Sequence, residues 1–88
     1  MSDTVAILEV RRWFGDEKSW YTRAFSSVHT ARAAMREAFQ NTCDDYIDAY
    51  GDEKMAGLTK HQNAHGWQLN RSTGALAEAT LNVYSIEE

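Results

Sequence analysis

The sequence predicts an α+β fold of order ββαββ, a mostly antiparallel sheet of about four strands covered on one face by one long helix. Three observations carry this expectation. Two segments rich in β-branched and aromatic residues flank turn-forming residues at the start of the chain. A stretch with apolar residues at steps of three and four fills the middle. Alternating apolar residues return near the end. At 88 residues the chain is expected to form a single domain over 1–88. Its hydrophobic fraction of 43% allows burial to offset the entropy of ordering it.

The opening segments are Thr4 to Phe14 and Ser19 to Phe25, with Gly15, Asp16, Glu17 and Lys18 as turn material. A four-residue loop closing on Phe14 and Ser19 sets Trp13 opposite Trp20, Arg12 opposite Tyr21, Val10 opposite Arg23 and Leu8 opposite Phe25. One face then carries Ala6, Leu8, Val10, Phe14, Tyr21 and Phe25, and is read as the core face. The other carries Glu9, Arg11, Trp13, Trp20 and Thr22. A slip of one residue would exchange the two faces.

Ser26 or Ser27 supplies the N-cap oxygen of a helix whose apolar stripe runs through Val28, Ala31, Met35, Ala38, Phe39, Cys43, Tyr46, Ile47 and Tyr50. Gly51 follows where a helix ends in a residue of positive φ. A competing reading breaks the helix near Asn41 and restarts it at Thr42, which has capping-box spacing to Asp45. Asp52 to Asn63, interrupted by Gly57, reads as one or two loose helical turns followed by a loop. Trp67 to Asn70 and Ala75 to Ile86 form the second hairpin, about a turn at Arg71, Ser72, Thr73 and Gly74. The tetrapeptide shared by Gly15–Lys18 and Gly51–Lys54 contains turn formers alone and is read as coincidence.

Composition narrows the function. The longest apolar run, Val5 to Leu8, is far shorter than the roughly 20 residues of a membrane span, and no basic-then-apolar leader opens the chain. A lone Cys43 forms no internal disulfide and fits a reducing compartment, so a cytoplasmic protein without membrane attachment is expected. A net charge of −4 argues against general affinity for nucleic acid, which comes mostly from Lys and Arg. Scattered glycines form no phosphate-cradling loop, so no cofactor is expected.

The catalytic candidates each have a plainer reading. His61 and His65 have i, i+4 spacing, but lack a Glu after the first His and a third ligand at a diagnostic distance. They are read as solvated loop residues, and no metal is expected. Cys43 lies in the apolar stripe, where a free Cys behaves as a small hydrophobe. Asp44 and Asp45 point to different sides of a helix and do not make a carboxylate pair around a substrate bond. The chain is therefore read as a non-enzyme.

Two surface features remain. Arg11, Trp13 and Trp20 share the face turned away from the helix in the hairpin register above. There they would stack on bases or anchor a protein, unless a different register buries both tryptophans. The second feature is charge order. From Arg11 to Arg36 six bases face two acids, whereas from Glu37 to Glu53 six acids stand with no Lys or Arg. The helix thus carries His29, Arg32 and Arg36 early and Asp44, Asp45 and Asp48 late, with Asp52 and Glu53 beyond it. Peptide dipoles favour the opposite order, and Asp is a poor helix former. A local rule broken without local gain points to a functional surface; a solvated face, ion pairs to Arg23 or Lys54, or the broken helix are the alternatives.

In small size, acidic balance, lack of a catalytic constellation and sheet-plus-helix build, the chain resembles the small accessory proteins of phages and mobile elements, the anti-CRISPR proteins among them. That resemblance, one of general character, implies a protein that binds a host nucleic-acid machine and blocks it, presenting carboxylates where the machine expects phosphates. Asp44, Asp45, Asp48, Asp52 and Glu53 would be the mimic. The leading expectation is a non-catalytic inhibitor module that occupies a basic surface on a protein partner such as a nucleic-acid-binding complex. Two others stand beside it: a nucleic-acid-binding module using Arg11, Arg12, Arg23, Trp13 and Trp20, and a homo-oligomer, such as a homodimer, whose extra apolar strand face pairs with itself.

Overall fold

A computed structural model describes residues 3–14 and 17–86. Among these described residues, five strands and two helices follow in the order β1 (Asp3–Phe14), β2 (Glu17–Phe25), α1 (Val28–Tyr50), α2 (Asp52–Ala56), β3 (Thr59–Asn63), β4 (Gly66–Arg71) and β5 (Gly74–Ile86). The strands make one fully antiparallel sheet of spatial order β2-β1-β5-β4-β3. The α+β class and the single long helix stand as expected, but the sheet has five strands rather than about four, and the order is not ββαββ.

The additional strand is β3, which lies where the sequence reads as a loop after loose turns. All five of its residues, Thr-Lys-His-Gln-Asn, are exposed. An edge strand with neither face buried needs no apolar alternation, so it leaves none in the sequence. The turns expected before it are present as α2.

In the first hairpin Phe14 pairs with Glu17, Arg11 with Trp20 and Leu8 with Arg23. The register is two residues away from the expected one, because Glu17 and Lys18 belong to β2 and not to the turn. Of the four expected turn residues, Gly15 and Asp16 lie outside the described residues. A slip of two preserves faces. Ala6, Leu8 and Val10 therefore remain inward and buried, as expected.

The helix is continuous through Asn41 and Thr42. Ser27 caps it with an extended backbone, its hydroxyl accepting from the Thr30 N–H at 3.4 Å. At the other end Gly51 takes φ +94° and ψ 164°, a conformation that a Cβ strongly disfavours, and donates its N–H to the Ile47 carbonyl at 2.7 Å. Thr42 does not cap a second helix; it is buried in the stripe with Ala31, Met35, Ala38, Cys43 and Tyr46.

This stripe covers one face of the sheet. Trp67 of β4 donates its indole N–H to the Met35 carbonyl at 2.9 Å, Phe39 meets Trp67 edge to face at 5.3 Å, and Phe14 meets Tyr46 edge to face at 5.7 Å. The middle of α1 thus packs on the Trp67 side chain of β4, and its second half on the end of β1. A register shift between Leu69 and Asn70 leaves Leu76 as the extra residue of β5. At such a bulge neighbouring side chains turn to the same side, and Leu76 and Ala77 are both buried. Each fully buried Leu or Val here contributes about 1.5–3 kcal/mol relative to exposure. No helix among the described residues is long and apolar enough to cross a membrane.

Candidate functional site

Where α1 passes over β1 it leaves part of the inner face of β2 uncovered. Between helix and strand runs an open groove of about 580 Å³, lined by Arg12 and Tyr21 on the sheet side and by Asn41, Thr42, Asp44 and Asp45 on the helix side. Asp44 and Asp45 sit on its rim and Asp48, Asp52 and Glu53 beyond it, all five exposed.

They are not equivalent. Asp45 accepts from the Arg12 guanidinium at 2.9 Å, so its charge is spent within the fold. The ion-pair alternative had named Arg23 or Lys54; the partner is instead on β1, because the helix lays its last turns over that strand. Asp44 accepts from the Gln40 amide one turn earlier at 2.9 Å. Asp48 has no ion-pair partner among the described residues, and the last turn of α1 carries no base. Asp52 and Glu53 open α2, where anions meet the positive end of a helix dipole. Their positions thus have a local rationale that the reading of one long helix missed.

On the opposite face of the sheet, Arg11, Trp13 and Trp20 lie together as expected. Trp20 is 75% exposed and Trp13 half-buried, and with Lys18 and Ser19 they border a hollow of about 390 Å³. Arg11, however, is clamped between Glu9 and Glu78. Its charge is offset by two carboxylates on its own face, which removes the cation that a phosphate would seek.

His61 sits on β3 and His65 in the following turn, so no helical face aligns their rings. Both border an open cleft of about 290 Å³ with Gly66 and Trp67. Among the described residues no group of three His, Cys, Asp or Glu is placed to hold a metal ion. Cys43 is buried, and burial pushes its thiol up from the usual range; Lys60 opposes this shift and Asp44 adds to it. A thiol held protonated is a weak nucleophile.

The exposed edge of β2 is the feature that sequence reasoning passed over. Lys18 to Ala24 are all exposed, and β2 has a sheet neighbour on one side only. The missing signal is topological, since the strand's own sequence does not say which strands flank it. No protein-family model, curated protein or solved structure matches the chain.

Proposed function

We propose that this chain is a non-catalytic binding module that docks its acidic ridge on a basic surface of a protein partner and blocks it. One observation carries the reading: Asp44, Asp48, Asp52 and Glu53 are exposed along the end of α1 and the start of α2, with no cation paired to them among the described residues. Such carboxylates steer association with a basic surface and set its salt dependence. That basic surface is a phosphate-binding groove of a nucleic-acid-handling complex, in keeping with the resemblance to anti-CRISPR proteins. Asp45 contributes less, since Arg12 already holds it.

The test uses an assembled RNA-guided nuclease complex as probe, titrated with the chain and with the triple variant Asp48→Asn, Asp52→Asn, Glu53→Gln. The native chain is expected to compete with target DNA, and the triple variant to lose roughly tenfold or more in apparent affinity at unchanged fold. Equal competition by both proteins rejects the ridge as the interface. Direct retention of the chain by DNA or heparin would favour the Trp13 and Trp20 face instead.

A further inference from the structure

We infer that Arg32 and Arg36 of α1, together with the end of the β3–β4 hairpin, form a binding site for a phosphate group, free or carried as a monoester on a small molecule. The two arginines stand one turn apart on α1, so their side chains leave the same flank of the helix. Both line an open cavity of about 320 Å³ whose far wall is made by Gln62, Asn63 and Ala64. Met35, Gly66 and Trp67, all buried, complete the lining.

This lining holds donors and no carboxylate. Neither guanidinium forms an ion pair among the described residues, and the first turn of α1 has no acid to offset them. Arg11 and Arg12 differ, since the first is held by Glu9 and Glu78 and the second by Asp45. Gln62 is level with Trp67, whose indole reaches the Met35 carbonyl, so the Gln62 amide shares the face of the sheet that α1 covers. Asn63 commits its side-chain oxygen to the His65 N–H at 2.8 Å, which leaves its amide N–H groups as donors.

The geometry selects among anions. A guanidinium fork grips two oxygens at once, so one arginine already satisfies a planar carboxylate, whereas two forks can share a tetrahedral phosphate. Residues one turn apart have Cβ atoms about 5–6 Å apart, a gap that two long side chains close on a single anion. The two amides then face its remaining oxygens. Bound phosphate also gives the bases early in α1 a purpose that the helix dipole denies them. The site lies on the helix side of the sheet, away from Trp13 and Trp20 and from the acidic ridge at the far end of α1.

Titration of the full chain with inorganic phosphate at fixed ionic strength, followed by proton–nitrogen NMR, tests this. Saturable binding of one phosphate per chain is expected, with a Kd on the order of 1 mM or below. The shifts should centre on the Arg32 and Arg36 side chains and on the Gln62 and Asn63 amides, and sodium chloride at the same ionic strength should produce none of them. Arg32→Gln and Arg36→Gln should each weaken binding roughly tenfold at unchanged fold. Arg36→Lys should recover only part of that loss, because an ammonium keeps the charge without the fork. Adenosine monophosphate, titrated in parallel, separates the sources: tighter binding than inorganic phosphate identifies an ester as the ligand, and equal or weaker binding identifies the free anion. Absence of saturation at phosphate concentrations on the order of 10⁻² M overturns the proposal. So do equal shifts with chloride, or undiminished binding by the double variant Arg32→Gln, Arg36→Gln.

Discussion

Gly66 shows how a single residue sets the packing of the sheet. A Cβ placed there would stand 2.1 Å from the Ala79 carbonyl oxygen, a backbone atom of the neighbouring strand that cannot rotate away. Gly66→Ala is therefore expected to cost about 1–3 kcal/mol or more, read as a lowered midpoint in urea at an unchanged slope. One position later, Trp67 ties sheet to helix through its bond to the Met35 carbonyl. Trp67→Phe keeps most of the ring packing and drops the donor, for an expected loss of about 1 kcal/mol. Cys43 gives a prediction in pH. Burial raises its folded-state pKa above the unfolded value, so the unfolded chain releases the proton first as pH rises. Stability from this group is complete below the unfolded pKa and falls as pH climbs toward the folded one. Melts of the native chain and of Cys43→Ala should thus diverge above the free-thiol range and run parallel below it. An identical decline in both would place the alkaline loss elsewhere.

Among the elements, α1 carries the clearest conflict between local physics and sequence. Its first turn has no acid and its last turn no base, against the direction its dipole favours. Two nearby aspartates should respond with opposite signs. Asp48→Asn removes an unpaired anion from the negative end and should raise stability by a few tenths of a kcal/mol. Asp45→Asn breaks the pair with Arg12 and should lower it by about 0.2–1 kcal/mol. A thermal melt of each checks the sign. If both variants are stabilised, the Arg12 contact is energetically idle. The helix itself was legible because its apolar residues recur at spacings of three and four, Ser27 precedes it and Gly51 follows it. β3 was not, because Thr59 to Asn63 bury nothing and so obey no period. The register of the first hairpin was misplaced by two because Glu17 and Lys18 are turn formers by composition, yet they pair with Phe14 and Trp13. Its faces were nevertheless right, since a shift of two conserves them. The acidic run was visible as a run, but its division into a paired Asp45 and unpaired neighbours depends on where α1 crosses β1, which no local pattern encodes.

At the scale of the molecule, a long sheet with one helix on one face leaves stability unevenly spread. Its principal extents are 50 × 21 × 20 Å, and its two longest strands, β1 and β5, are paired on both sides. Their amides should exchange with solvent only on opening close to global unfolding, whereas the edges open locally. The two edges make a controlled comparison. In an isolated molecule both β2 and β3 have one unpaired side, and the amides on that side should exchange fast at any protein concentration. A homo-oligomer joined through β2 predicts otherwise, because its outward amides would be hydrogen-bonded across the join. Their protection would then rise with concentration, while that of Thr59 to Asn63 stays constant. Measuring exchange at two concentrations a hundredfold apart thus reports the state of β2 residue by residue, with β3 as the internal reference. Equal exchange of β2 at both concentrations is the outcome expected of a monomer, and would set the homo-oligomer reading aside at that edge.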